Sequence, residues 1–517
     1  MSLAKLLWVD DEIEMLRPHI MFLEGKDYEV DTANNGSDAL EMIRNTNYDL
    51  VFLDENMPGL SGLEVLEEIN KISSVLRVIM ITKSEEEHIM EEAIGANIAD
   101  YLIKPVNPNQ ILLAIKKNID AKKIQSEKNA HDYQVQFRQI GMRLTERLDF
   151  DDWMDIYRDL VDWELKLEKS EDQGILEIFQ MQKDEANSVF SSFIEDNYVD
   201  WVNGVEEAPV MSQTLIREKV LPKLQSGKPT FLFVIDNLRY DQWRSIYPLI
   251  SDYFHLDSEE IYYSILPTTT QYARNALFAG LMPSTIKKRY PQYWVDEHEE
   301  GTKNQFEKEL LQEQLKRLGK DIKMSYSKIL TLDKGRKLAD NMHQLMNNDL
   351  NVIVYNFVDM LSHARTEMEV IRELASDEKA YRSLTNSWLQ NSPLMDMFRF
   401  VAEKGANMMI TTDHGSVRVK KPVKVLGDRN TNTNLRYKFG KNLDYKAKEV
   451  FEVRNPDDIF LPKINVSTAY VFCRETDFFA YPNNYNYYVN YYRDTFQHGG
   501  ISMEEVLIPI VSLSAKK

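Results

Sequence analysis

Asp236, Asp359, His363, Asp413 and His414 are metal-binding residue types, and each stands at or just past a short apolar run. Asp236 closes Phe231–Ile235. Asp359 follows Val352–Val358, with His363 four residues later. Asp413 and His414 follow Met408–Thr412. Runs of this length read as buried strands, and open α/β sheets place ligands beyond the carboxyl ends of their strands. Three such strands would bring their carboxylates to one edge. His498, ahead of Gly499-Gly500, is a sixth candidate. A single aspartate after a strand can equally be a helix N-cap. The whole set, in a chain with nine histidines, points to metal chemistry. Carboxylates and imidazoles without thiolate suit Zn²⁺, with Mn²⁺ as the alternative. Two metals about 4 Å apart can stabilise both entering and leaving oxygens of a displacement at phosphorus.

A protein nucleophile is expected nearby. Pro267-Thr268-Thr269-Thr270 supplies three hydroxyls, with a strand expected to end near Leu266 and a helix over Gln271–Ala279. Thr270 would stand at that helix's N-terminus, where free N–H groups and the dipole favour phosphate. Any of the three threonines could instead only cap the helix. Arg274, one turn after Thr270, is positioned to clamp a non-bridging phosphate oxygen.

A second chemical cluster lies near the start of the chain. Asp10 and Asp11, Asp54, Thr82 and Lys104-Pro105 each follow or end a predicted strand in residues 4–119. An acidic trio there can hold Mg²⁺, while Asp54 attacks a phosphoryl group. Lys104 adds positive charge and the Thr82 hydroxyl can bond the new phosphoryl oxygens. The pattern closely resembles the receiver domain of two-component response regulators. That resemblance makes Asp54 the phosphoacceptor and gives Mg²⁺ to Asp11, Asp54 and the carbonyl of Asn56, with Asp10 assisting through water. It also puts Tyr101 at the aromatic switch position.

Stepping through the elements, residues 1–120 alternate strand and helix as a doubly wound, flavodoxin-like receiver. Residues 121–205 lose strand signals. Apolar residues recur at helical spacing, and a three-helix bundle acting as a spacer or dimerisation element is the simplest reading. Residues 206–517 alternate again, with Pro283–Leu330 and Val417–Asp458 expected as insertions on the sheet. The fold class is therefore multidomain α/β. A net charge of −20 argues against broad duplex-DNA binding, and acidic helices stand where a basic helix-turn-helix would follow a receiver. The single cysteine, Cys473, permits no intramolecular disulfide. No apolar run approaches the ~18 residues of a membrane span, so the expectation is a soluble cytoplasmic protein.

The order Asp, Thr, Asp-x-x-x-His, Asp-His and late His resembles the alkaline phosphatase superfamily. By that resemblance Asp236, Thr270, Asp413 and His414 hold one Zn²⁺, and Asp359, His363 and His498 hold the other. Thr270 then matches the Pro-Thr-x-Thr pattern of nucleotide phosphodiesterases. Asp236-Asn-Leu-Arg-Tyr-Asp241 is similar to the PglZ branch. Receiver, helical segment and PglZ domain together resemble the PorX-type response regulators linked to type IX secretion in Bacteroidota. The resemblance implies a sensor histidine kinase as partner. It also implies a phosphorylation-dependent homodimer, formed through the helix between Thr82 and Tyr101, the Tyr101 strand and the last receiver helix.

Arg418, Lys420, Lys421, Lys424, Arg429, Arg436, Lys438 and Lys441 make a basic stretch after His414. Lys287–Tyr290, Tyr293 and Trp294 add basic and aromatic residues. In an acidic chain these suggest a polyanionic substrate, a nucleotide or oligonucleotide phosphodiester. The competing function class is a non-catalytic adaptor that binds a transcription factor or secretion component.

Overall fold

The computed structural model describes residues 4–73, 76–83, 98–168, 170, 172–225, 227–375, 377–427, 431–481 and 484–516. Side chains 119–128, 130–131, 363–367 and 369–370 lie outside that description. The His363 side chain, Arg429 and the expected helix after Thr82 therefore fall outside the described residues. The chain divides into two compact units, Met1–Gln134 and Val135–Lys517.

In the first unit, β1 (Lys5–Val9), β2 (Glu29–Ala33), β3 (Leu50–Asp54), β4 (Arg77–Thr82) and β5 (Asp100–Ile103) form a parallel sheet of order β2-β1-β3-β4-β5. The central runs Leu6–Val9, Leu50–Leu53 and Val78–Ile81 are buried throughout, as expected for strands covered on both faces. Alternate residues serve opposite cores. Leu7, Val9, Val51 and Leu53 pack on one side, Leu6, Trp8, Leu50 and Phe52 on the other. Helices α1 (Arg17–Glu24), α2 (Gly36–Asn45), α3 (Gly62–Ile72) and α4 (Pro108–Ile115) follow strands. Ser61 with Glu64, and Asn107 with Gln110, cap α3 and α4 reciprocally, satisfying N–H groups that a helix start leaves open.

Helix α5 (Ala121–Arg143) spans the division between the units, and α6 (Phe150–Leu167) and α7 (Gln173–Asn203) complete the helical segment. The turn signal at Asp149–Asp152 is the capping box of α6. Helices α6 and α7 share one compact unit with the C-terminal sheet domain. Tyr157 of α6 packs on Tyr240, and Trp201 of α7 on Tyr263. Helical periodicity shows that a face is apolar but not which partner covers it.

The C-terminal sheet contains β6 (Thr230–Ile235), β7 (Phe254–Tyr263), β8 (Met324–Ile329), β9 (Leu350–Tyr355), β10 (Asn407–Thr411) and β11 (Leu507–Ala515), in the order β7-β11-β10-β6-β9-β8. Strands β10, β6, β9 and β8 run parallel; β11 is antiparallel to both β10 and β7. Residues 324–329, expected within an insertion, are an edge strand of this sheet. Their half-buried, polar pattern Met-Ser-Tyr-Ser-Lys-Ile fits an edge and hides the strand signal. No helix among the described residues is long and apolar enough to cross a membrane.

Candidate active site

Strands β6 and β10 pair in parallel with Thr411 beside Val234, so the residues just past their ends meet. Ligand atoms of Asp236, Asp413 and His414 lie within 4.8 Å of one another, all three side chains buried. His414 Nε2 is 3.8 Å from Asp236 Oδ1 and 3.7 Å from Asp413 Oδ2. Thr270, the first residue of α8 (Thr270–Ala279), brings its Oγ1 to 3.3 Å from Asp236 Oδ1 and 3.1 Å from His414 Nε2. The neighbouring threonines are placed differently. Thr268 Oγ1 donates to the Gly500 carbonyl and accepts from Gly499 N–H. Thr269 is the extended N-cap residue and its hydroxyl has no hydrogen-bond partner.

The second group adjoins the first. His498 Nε2 is 3.6 Å from Asp359 Oδ1, and the His498 ring stacks on His414. Asn237 bridges the groups. Its Nδ2 lies 3.5 Å from Asp359 Oδ1 and its backbone N 3.4 Å from Asp413 Oδ1. A φ of +63° turns the chain sharply there, a conformation asparagine tolerates better than most residues. Asn237 was legible only as the residue after Asp236. Asp359 departs from the expected strand end. Strand β9 stops at Tyr355, and Asp359 lies in the first turn of α9 (Phe357–Glu367). The apolar pair Phe357-Val358 extended the strand reading, but it starts this helix. Position 363 lies on the same helix.

Burial and electrostatics fit a cation. Burial, then the neighbouring Asp236, pushes the Asp413 carboxyl up to about 6. Burial also opposes ionisation of Asp236, but the Arg274 guanidinium outweighs it and holds that carboxyl below the usual range. Among the described residues, Asp413 Oδ2 and Asp236 Oδ2 are buried without a hydrogen-bond donor. The latter meets Arg274 Nη1 at 2.6 Å as an ion pair only, out of hydrogen-bond alignment. An orphaned carboxylate oxygen such as Asp413 Oδ2 is costly unless a cation satisfies it, and the Asp/His donor set suits a divalent metal.

Arg274 is not the expected phosphate clamp. It is fully buried, with Nη1 against Asp236 and Nε 2.6 Å from Glu307 Oε1, so it braces a candidate ligand from behind. Helical spacing placed it one turn from Thr270, but every residue from Gln271 to Ala279 is buried and Glu307 claims the guanidinium. The basic stretch is corrected in the same way. Arg436 is buried on Glu505, and Lys438 is buried with Nζ 2.7 Å from the Asn432 carbonyl. Arg418, Lys420 and Lys421 pair with Asp494, Asp184 and Asp477. Lys287 pairs with Asp296, and Trp294 is buried. Lys288, Arg289, Lys421, Lys424 and Lys441 remain exposed. Charge runs carry no information about carboxylates distant in sequence.

In the first unit, Asp10, Asp11 and Asp54 place ligand atoms within 4.8 Å of one another. Lys104 Nζ is 2.8 Å from Asp10 Oδ2 and 3.0 Å from Asp54 Oδ1. Burial pushes the Asp54 carboxyl up to about 6 against the Lys104 hydrogen bond, with Asp10 and Asp11 adding to the rise. Burial disfavours the Lys104 ammonium, yet Asp10 and Asp54 outweigh it and raise its pKa. The Thr82 hydroxyl donates to the Glu55 carboxylate, so bonding a phosphoryl group requires it to leave Glu55. Tyr101 is half-buried and Asn56 exposed.

Comparisons with known proteins divide the chain into three consecutive segments. A family described as the response regulator receiver domain matches residues 6–116, the PorX response regulator linker domain matches 123–202, and the BREX system PglZ alkaline phosphatase-like domain matches 215–513. The transcriptional regulatory protein ResD of Bacillus subtilis is 38% identical over 113 residues, covering 22% of this chain and 47% of ResD. The CpxR homolog of Haemophilus influenzae is 39% identical over 115 residues, covering 22% of this chain and 49% of that protein. The chain thus spans about half the length of these curated relatives. A CheY-like receiver structure from Methanospirillum hungatei is 32% identical and covers 23% of this chain and 96% of that one, with a TM-score of 0.23.

Proposed function

Since the chain belongs to the PglZ alkaline phosphatase-like family and joins that domain to a receiver through a PorX-type linker, we propose that it is a response regulator in which phosphorylation of Asp54 controls a zinc-dependent phosphodiesterase. The observation that carries the reading is the contact of Thr270 Oγ1 with both Asp236 and His414. In the proposed reaction Thr270 Oγ1 attacks phosphorus, the bond to the ester oxygen breaks, and the leaving group departs as an alcohol once protonated. Water then hydrolyses the phosphothreonine ester. Asp236 Oδ1 lies within reach of the hydroxyl proton. The N–H groups at the start of α8 favour the anionic phosphoryl group. Asp236, Thr270, Asp413 and His414 would hold one Zn²⁺, and Asp359, His363 and His498 a second. Bound metal supplies Lewis-acid stabilisation of the phosphoryl oxygens.

A nucleotide or oligonucleotide phosphodiester is the proposed substrate class. Threonine as nucleophile supports it, as do exposed Lys288 and Arg289 beside half-buried Tyr293. In the receiver, Asp11, Asp54 and Asn56 would hold Mg²⁺ with Asp10 behind them, and a sensor kinase would supply the phosphoryl group. Control of type IX secretion is the proposed setting. Elemental analysis of purified protein, with hydrolysis of bis(p-nitrophenyl) phosphate, p-nitrophenyl phosphate and dinucleotides, tests the reading. Metal at two equivalents with faster diester turnover is expected. Metal-free, inactive protein after zinc loading would leave the adaptor function in its place.

A further inference from the structure

Helix α7 carries a stripe of buried polar residues, Gln182, Lys183, Asn187 and Ser191, at helical spacing. Burying such groups is unfavourable unless each finds a partner. Most of these partners lie in the PglZ domain, around the catalytic loops. Asn187 Nδ2 donates to Glu504 Oε2 at 3.0 Å, and Met503 N–H donates to Asn187 Oδ1 at 2.8 Å. Ser191 Oγ donates to the Ile501 carbonyl at 3.3 Å. Lys183 Nζ joins Glu504 Oε1 at 3.1 Å to Glu164 Oε2 of α6 at 2.8 Å. Farther along α7, the buried Tyr198 hydroxyl accepts from Leu266 N–H at 2.9 Å.

The addresses of these contacts matter. Ile501, Met503 and Glu504 directly follow the His498-Gly499-Gly500 turn. Leu266 directly precedes Pro267 and the three threonines. The Glu504 carbonyl also presses on Gly415, where a Cβ would stand 1.9 Å from it, so it shapes the loop after His414. Helix α6 reaches the remaining loop. Glu164 pairs with Arg382 at 2.6 Å, Arg382 with Asp241 at 2.7 Å, and Asp241 with Arg239 at 2.8 Å. Arg239 follows Asp236-Asn237-Leu238, and its guanidinium lies 5.2 Å from the Phe496 ring, close before His498.

We propose that α7 is a positioning element of the catalytic site: Asn187 sets the loop that carries His498, and Tyr198 sets the loop that carries Thr270. The inference rests on the hydrolase reading and adds to it a role for the linker. A site of this kind loses rate when a supporting contact lets a reacting group drift by a fraction of an ångström. Simple adhesion of linker to domain would lower stability alone. Positioning separates the two loops: the Thr270 loop should govern turnover, the His498 loop metal affinity.

Full-length Tyr198→Phe keeps the ring and removes the one acceptor of Leu266 N–H. Its kcat should fall about tenfold with KM and metal affinity near wild type, beyond any loss of folded fraction from the unpaired Leu266 N–H. Asn187→Leu should weaken zinc affinity about tenfold in chelator competition, and excess zinc should restore most of its rate but none of the Tyr198→Phe rate. Should Asn187→Leu not fold, Ser191→Ala removes the hydroxyl that donates to the Ile501 carbonyl and accepts from Glu475 N–H, and tests the same loop. Met181→Ala, 71% exposed on α7, is the control with unchanged activity. Wild-type kcat and zinc affinity in the folded variants would overturn the proposal. So would rate losses that follow the folded fraction. A wild type that binds zinc yet hydrolyses no ester defeats the hydrolase reading, and zinc affinity in the His498-loop variant then decides this one. A wild type that binds no zinc overturns both.

Discussion

The rings of His414 and His498 stack with centroids 4.3 Å apart and an interplanar angle of 20°. They come from loops far apart in the chain, and each belongs to a different proposed ligand set. Two metals held by these sets would therefore share one pocket and act on one phosphoryl group. His498→Ala should lower total zinc by about one equivalent and weaken retention of the other, because the stacked ring that orients His414 is gone. Zinc titration with an absorbance indicator checks this. Loss of one equivalent with unchanged affinity for the other would show independent sites.

Thr270→Val should reduce kcat by about 10³-fold or more, in line with removal of a nucleophile, while the fold and most metal binding persist. The side chain keeps its shape and loses only the hydroxyl between Asp236 and His414. Trapping a phosphoryl adduct on Thr270, still carrying the second ester group of a diester substrate, by acid quench and mass spectrometry in wild type, but not in the variant, checks the assignment directly. Full activity would transfer the role to Thr268, Thr269 or a water molecule.

Arg274→Met should act through stability and metal binding. It leaves Asp236 and Glu307 buried without their shared cation, a loss of about 3–5 kcal/mol for a broken buried ion pair. Chemical denaturation and zinc content measure it. A rise in KM with stability intact would instead restore the phosphate-clamp role.

Lys438 gives the second unit a pH signature. Burial pulls its amine down to about 8, below the ordinary lysine value carried by the unfolded chain. Between about pH 8 and 10 the unfolded chain therefore binds more protons, and stability rises with pH. The melting temperature of wild type should gain on that of Lys438→Met as pH is raised from about 8 to 10. A gap that stays constant across that range would show that burial does not lower the pKa of this amine.

Phosphorylation at Asp54 should shift monomer toward dimer and raise hydrolysis of extended substrates more than of a small chromogenic ester. The driving contact is Thr82, which must release Glu55 to bond the phosphoryl oxygens. Sedimentation and turnover with and without beryllofluoride and Mg²⁺ check this. Asp54→Ala should abolish the response and keep basal hydrolysis. Unchanged mass and rate with beryllofluoride demonstrably bound would end the idea.

Local pattern was enough for the receiver. Continuous apolar runs between helical stretches fit strands buried on both faces, and Asp10, Asp54, Thr82 and Lys104 sit at their ends because short loops follow each strand. The same reasoning reached Asp236 and Asp413, whose strands pair directly, and Thr270 at the start of its helix. It faltered where a contact joins residues distant in sequence. Asp359 shifted from strand end to helix because Phe357-Val358 are apolar in either setting. Arg274 and Arg436 changed roles because Glu307 and Glu505 neutralise them inside the fold. Periodicity alone established that α6 and α7 are helices with buried faces, but only the tertiary structure decided that Asn187, Ser191 and Tyr198 meet the catalytic loops. Residue type and spacing determine which groups can do chemistry and which element carries them. Their protonation, partners and aim depend on charges and hydrogen bonds brought together only by folding.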